Sequence, residues 1–495
     1  MRGLISQRIL ISQRIPLASV GATAAVILIS ISLGVIVSAV GWEIPVAVLV
    51  LVGLVTLGME RPALLLAVVL TVRPLVDAAS EHRVGIGFGS TNVGGAVGLV
   101  VLVVSLGYML TASSITLPDV SRTFSAVLAF SAVAALYAYE SFGSSAGSSA
   151  VTELVRLAAI LAVFLLAANV ASTPASVHRL FSIIALSAVL PAVVAIVQFA
   201  SGNLSVVPGL VIERAFGTFV GPNPLGEYCA LSALILISAP ATFMKRSVRL
   251  VALALIVGAL VITYSRTGYS MLLVGAVVIE YGRLSRRMLW VAIVLAIVLV
   301  AVPSLRDRVL PIGTTEATQE GSSQTGLLSK GGTYGSLGWR IDNWSGLIGK
   351  WEQSPIFGFG LQTTPLVNPL RTVTVTSGQR LEGFAAHNTA VRALVEGGVI
   401  MFALWALLCA QLISRSARAM REPWELQSYA RILWGIWIAV VFAGLTSDDP
   451  FSGTAMMYGC FALTGSLLGA YSRHRAASVA PSLLHSTTRR SSGAG

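Results

Sequence analysis

Apolar segments of close to membrane-spanning length recur along almost the whole chain, and few folds can accommodate that pattern. They lie at residues 17–40, 44–58, 62–76, 92–112, 123–139, 154–171, 180–200, 224–243, 248–264, 268–282, 288–303, 388–413, 432–446 and 454–471. A helix crossing the ~30 Å hydrocarbon core needs about 20 apolar residues, fewer where an end is buried in protein. Only 11% of the 495 residues are charged, against about 25% in a soluble domain. So few charges cannot coat a water-exposed surface, which excludes a soluble enzyme, a disordered chain and a nucleic-acid-binding module. The expected fold class is all-α: a polytopic transmembrane helical bundle of about 12–14 spans with one large, partly helical extracytoplasmic loop.

The net charge of +12 is then a statement about orientation. With the N-terminus inside, twenty of the 33 basic residues and five of the 21 acidic residues fall in inner loops, leaving 13 and 16 outside. That split follows the positive-inside rule. The expected organisation is a basic cytoplasmic N-terminus (1–16), a transmembrane bundle (17–302), a large outer loop (303–386), C-terminal transmembrane helices (387–471) and a basic, disordered cytoplasmic tail (472–495). The N-terminus holds a tandem hexapeptide, LISQRI, at Leu4–Ile9 and Leu10–Ile15. The run Leu17–Val40 is too long for a signal-peptide core and no A-x-A site follows it, so it reads as a retained span. Cys229, Cys409 and Cys460 lie in apolar runs without CxxC or metal spacing and read as small core residues.

The stretch Leu250–Tyr281 checks the register. As one helix it would reach about 48 Å at 1.5 Å per residue, too long for the bilayer core. Its flanks, KRSVR at 245–249 and RLSRR at 283–287, are both basic and both belong inside. The run must be a hairpin whose outer tip is YSRTG, Tyr264–Gly268. Two outer loops stand out by length, 201–223 and 303–386. The second begins Gly-rich, with Gly321, Gly326, Gly331, Gly332 and Gly335. It then shows Leu337, Ile341, Trp344, Leu347, Ile348 and Trp351 at three- and four-residue steps, an amphipathic helix expected to lie along the membrane interface.

Several ionisable residues at the outer side are candidates for chemistry. Arg340 falls on the apolar stripe of that helix, one turn before Trp344. A guanidinium there either snorkels to lipid headgroups or meets an anion such as phosphate. His387, in AAHN, stands where the loop enters a span. It is either an interfacial cap or a general base, for which a helix N-terminus favours the neutral imidazole that base catalysis needs. Asn388 adjoins it. Arg392 and Glu396 are spaced i, i+4 within the span; a self-neutralising structural pair is the favoured reading, although ionisable residues inside a membrane are functional candidates by default. Arg214 sits in ERAFGTFVGPNPLGEY, Glu213–Tyr228, and either pairs with Glu213 or joins Arg266 and Arg340 as a diphosphate clamp. No GxxxxGK[ST], GxGxxG before a strand, HExxH or GxSxG occurs.

These segments together resemble the O-antigen ligase and O-antigen polymerase superfamily of bacterial envelope proteins. The resemblance rests on GWRIDNWSGLIGKWEQSPIFGFGL at Gly338–Leu361, AAHNTAVRALVEGG at Ala385–Gly398, YSRTG at the hairpin tip and RAFGTFVGPNPLG at 214–226. It implies glycan transfer at the outer face of the inner membrane, from a polyprenyl-diphosphate-linked donor to a glycan or glycolipid acceptor. It also implies Arg340 and His387 as essential residues, with Arg214 and Arg266 as looser matches. The expected reaction inverts the anomeric centre and uses no cofactor and no metal. The partners expected are the lipid bilayer, donor and acceptor, with no nucleic acid. A secondary transporter or lipid-linked glycan flippase is the competing class. Transporters place ionisable groups or broken helices near the midplane, whereas the candidates here gather at the outer rim.

Overall fold

The computed structural model describes residues 43–78, 84–86, 89–91, 93–206, 213–280, 336–369, 372–374, 380–382, 385–447 and 454–491. The LISQRI repeat, the runs 17–40 and 288–303, the Gly-rich stretch before residue 336 and Asp448–Asp449 lie outside the described residues. The helices are α1 (Glu43–Glu60), α2 (Pro62–Val72), α3 (Val93–Thr111), α4 (Val120–Phe142), α5 (Ser144–Val170), α6 (Pro174–Ser187), α7 (Val189–Ser201), α8 (Pro222–Ser238), α9 (Arg246–Ile262), α10 (Arg266–Ile279), α11 (Ser336–Trp351), α12 (Thr364–Val367), α13 (Thr389–Arg421), α14 (Gln427–Gly444) and α15 (Ala455–Ser491). The protein is an all-α polytopic membrane protein. Three small antiparallel hairpins decorate the connections: β1–β2 (Val84–Ile86 with Gly89–Thr91), β3–β4 (Ser205–Val206 with Glu213–Arg214) and β5–β6 (Thr372–Thr374 with Arg380–Glu382).

The other twelve apolar runs coincide with helices. The helices α4, α5, α6 with α7, and α13 are long and apolar enough to cross a membrane by length and composition. The hairpin at Leu250–Tyr281 takes the form of α9 and α10 joined by residues 263–265. The amphipathic pattern at 337–351 is α11, but its stripe meets protein. Leu347 is fully buried with Ala386, Val391 and Val395, while Ile341 and Ile348 remain exposed. Residues 472–491, expected as a disordered tail, continue α15 to Ser491. The span expected at 154–171 begins ten residues earlier, because the Ser- and Ala-rich stretch from Ser144 is helical too. This change puts Glu153 inside a helix.

Small residues set the closest helix approach. On α15, Gly465 and Gly469 lie against the carbonyls of Phe164 and Ala168 on α5. A Cβ at either position would overlap those backbone atoms. Such one-turn spacing of small residues lets helices meet where lipid supplies no hydrophobic drive between them. The hydroxyl of Ser466 donates to the Ala171 carbonyl beside this contact. Elsewhere the buried Trp437 indole N–H finds its partner within the bundle, as the bilayer demands, donating to Thr464 Oγ1 at 2.9 Å.

Candidate functional site

The helix that carries most of the candidates, α13, is not continuous. Gly398 has φ 64°, ψ −164° and interrupts it. The interruption frees main-chain groups, and each must find a partner. The segment Pro355–Gly360 supplies them. Phe359 N donates to Val395 O and Gly360 N to Glu396 O, both at 2.9 Å, while Val399 N donates to Pro355 O at 2.9 Å. No side chain fits at the crossing: a Cβ on Gly358 would lie 2.6 Å from the Glu396 carbonyl carbon and the Gly397 nitrogen. Gly358 itself has φ 66°, a conformation glycine adopts without cost. The GFG and EGG segments are thus two halves of one joint, which clamps the Pro355–Gly360 segment onto the first turns of α13.

Those first turns hold His387. Asn388 caps α13, its side chain accepting from Ala390 N and Val391 N at 2.9 and 3.1 Å. His387, just before the cap, has φ 51°, left-handed backbone that a non-glycine residue adopts at a cost of order 1–3 kcal/mol. The same device recurs at the hairpin tip. Tyr264 has φ 49° and precedes Ser265, which caps α10 by accepting from Gly268 N. Strained backbone before a helix cap therefore presents both His387 and Arg266.

One turn of chain collects two of these segments through three hydrogen bonds. Beyond α14, residues 445–447 offer their carbonyls outward. Arg340 Nη1 donates to Thr446 O at 2.8 Å, Asn388 Nδ2 to Leu445 O at 3.0 Å, and Thr389 Oγ1 to Ser447 O at 3.0 Å. Half-buried Arg340 and the His387–Thr389 segment thus converge on one site. A second set of bonds holds α11 in place: Trp344 Nε1 donates to Ala386 O at 2.8 Å and Asn343 Nδ2 to Ala385 O at 3.1 Å.

Arg214 and Arg266 reach the same level by another route. Arg214 is 5% exposed; its Nε donates to Thr263 O and its Nη2 to Asn223 Oδ1, both at 2.7 Å. The helices α8 and α10 run side by side and touch where Gly226 meets Ser265 and Gly268 meets Gly226. Farther along, Gly275 meets Ala439 and Gly435 meets Ile279, so α10 and α14 are antiparallel. Run back at 1.5 Å per residue, that register brings exposed Arg266 level with Thr446 and Ser447, the turn that receives Arg340. Three helices, α8, α10 and α13, begin at this rim. Their N-termini add partial positive charge to that of the arginines.

Arg392 and Glu396 form the ion pair their spacing suggested, Nε to Oε1 at 3.2 Å. The pair belongs to a larger network that sequence reading missed. Arg392 Nη2 also meets Glu153 Oε1 at 3.3 Å, Glu153 Oε2 meets Arg156 at 3.4 Å, and Thr364 Oγ1 donates to Glu396 Oε1 at 2.9 Å. Glu153 and Glu396 are 2% and 4% exposed. Two arginines and two glutamates balance, as buried charges must. An apolar-walled cavity opens beside them, lined by Thr389, Arg392 and Glu396 together with Ile160, Met401 and Trp405.

A second missed pair is Arg73 with Asp77, 2.5 Å apart and 5% and 4% exposed. It stands beside the 213–221 segment, where Thr218 Oγ1 donates to Pro74 O at 2.6 Å. The signal was present in each case: an i, i+3 or i, i+4 acid–base spacing at the edge of an apolar run. Among the described residues no three His, Cys, Asp or Glu side chains gather as a metal site would require.

Residues 251–406 match the family model described as O-antigen ligase. The match spans Arg266, Arg340, His387, Arg392 and Glu396, and it leaves Arg214 and Glu153 outside. No curated protein matches the chain. With the apolar helices, the match supports a multi-pass membrane protein that acts as a glycan ligase or polymerase in general, a glycosyltransferase-like enzyme.

Proposed function

We propose that this member of the O-antigen ligase superfamily transfers a polyprenyl-diphosphate-linked glycan to an acceptor hydroxyl at the outer face of the cytoplasmic membrane. The observation that carries the reading is the convergence of Arg340 and the His387–Thr389 segment on residues 445–447. It puts a phosphate-binding fork and an imidazole on one rim, from chain positions 47 residues apart. His387 orients the acceptor hydroxyl and takes its proton. The hydroxyl oxygen forms a bond to the anomeric carbon as the bond to the diphosphate oxygen breaks, with inversion. The lipid diphosphate leaves with the bonding electrons. Arg340, with Arg214, Arg266 and the three helix N-termini, holds the diphosphate and stabilises its growing charge. That cluster supplies the positive charge a metal ion would bring, so transfer needs no cofactor. Arg392, Glu396 and Asn388 act in support by fixing the start of α13.

Two experiments test this reading in cells. His387→Ala and Arg340→Ala should each abolish glycan transfer with expression and insertion unchanged. Arg340→Lys should be badly impaired, because a point charge does not replace a bidentate fork. Wild-type glycan profiles in either Ala variant would remove that residue from the mechanism. Sidedness is tested by single cysteines: an impermeant thiol reagent should label one at Ser329 and spare one at Ser414. Ser414 is the suitable inner position because it is exposed, whereas Ser416 is fully buried. Labelling with the opposite pattern would overturn the topology.

A further inference from the structure

The far end of α13 carries a second cluster of arginines that plays no part in glycan transfer. Arg415 stands 16 residues beyond Val399, about 24 Å along the unbroken part of α13 and away from the rim that holds His387. Here α13 meets the start of α4 and the outgoing part of α15 around a recess lined by Pro118, Asp119, Arg415, Arg418, Tyr471 and Arg475. Asp119 Oδ2 pairs with Arg415 Nη2 at 2.8 Å. Among the described residues no ion pair involves Arg418 or Arg475. The recess thus brings Arg418 and Arg475 together from helices more than fifty residues apart in sequence; Glu422, beside the Tyr471 hydroxyl, offsets one of the two charges and leaves one positive charge in excess.

Its wall is apolar as well as cationic. Leu117 is 62% exposed, and the buried Leu468 lines the same recess. Below it, Trp424 stacks near Tyr471 and His474 at 5.4 and 5.6 Å between ring centroids. Such Trp and Tyr side chains mark the headgroup level of a membrane. Arginines that merely snorkel spread outward into separate lipids. These converge, and like charges that converge are repelled unless an anion sits between them.

We propose that this recess binds a phosphate group, with Arg418 and Arg475 as its two forks and exposed Leu117 as the seat of an adjoining acyl chain. Arginine suits phosphate because its planar donors match two oxygens at once. The same chemistry is offered by the headgroup of an anionic phospholipid or by free phosphate. The apolar wall favours the lipid, and juxtamembrane basic clusters attract anionic leaflets in general.

The test uses the full-length protein purified in a neutral detergent, with thermal unfolding followed by tryptophan fluorescence. Phosphatidylglycerol should raise the midpoint by several degrees more than phosphatidylcholine, since a ligand bound only to the folded state stabilises it. The double variant Arg418→Gln with Arg475→Gln should lose that difference and keep the phosphatidylcholine response. Arg246→Gln, an exposed arginine at the start of α9, should keep it. If millimolar inorganic phosphate alone reproduces the full shift, the ligand is free phosphate rather than lipid. Equal shifts with both lipids and none with phosphate would overturn the proposal, as would a double variant that still prefers phosphatidylglycerol.

Discussion

Glycine does opposite work in two regions of this molecule. Where α15 crosses α5, Gly465 and Gly469 keep two unbroken helices in contact, and the joint is a surface of small side chains. At the rim, Gly398 breaks α13 and admits the Pro355–Gly360 segment, and the joint is made of main-chain hydrogen bonds. The first contact ties down the bundle. The second ties down the position of His387 and Arg340 relative to each other. The bundle should therefore fail by loss of packing, and the rim by loss of positioning.

The largest effect is expected at Gly398. Replacement by Val would force a β-branched residue into left-handed backbone and drive its Cβ into the Ile356 carbonyl. Strain and overpacking together amount to on the order of 2–6 kcal/mol. Size-exclusion chromatography in detergent should show little folded protein; a normal monodisperse peak would mean that the loop does not occupy the helix break. Arg392→Ala comes next, at about 3–5 kcal/mol, because it leaves Glu153 and Glu396 buried beside each other. Glu153→Gln in the same chain should restore part of the lost stability. A double variant no more stable than Arg392→Ala would contradict the network.

Smaller effects sharpen the contrast. Gly469→Val should cost about 1–3 kcal/mol by overpacking α15 on α5, read as a lower unfolding midpoint with transfer per folded molecule unchanged. Asn388→Ala removes a helix cap and costs about 1 kcal/mol, yet it also releases the bond to Leu445. Its transfer rate should fall much further than its stability. If Asn388→Ala and Gly469→Val lose activity only in proportion to stability, the rim has no positioning role distinct from the bundle.

The same contrast explains what the amino-acid sequence discloses. Helices such as α4 and α10 follow from apolar runs and their basic flanks, and the tip at Tyr264–Gly268 followed from the length of Leu250–Tyr281 together with the basic residues on both sides of it. Arg340 on the apolar stripe of α11 was also legible, since the stripe lies within one helix; a cap was expected of His387, and Asn388 takes that part instead. The Glu153–Arg392 pair was not, because its partners are 239 residues apart and Glu153 lies in a polar stretch that looks like a loop. Nor was the Gly358–Gly398 joint, whose halves match only once folded. Local periodicity sets the helices; the rim depends on contacts that no local pattern encodes.

The central claim is that Arg340 and His387 form one metal-independent transfer site. The direct measurement is single-turnover transfer by purified protein from a synthetic lipid-diphosphate donor, with EDTA present. The account predicts that the wild-type protein keeps its rate in EDTA. His387→Ala, Arg340→Ala and the double variant should all lose it to a similar extent, because residues acting as one unit are not additive. Transfer that persists in either single variant would contradict the account, as would transfer that stops in EDTA and returns with Mg²⁺; the latter would make Asp448 and Asp449, adjacent carboxylates of the kind that hold such an ion, the first residues to replace.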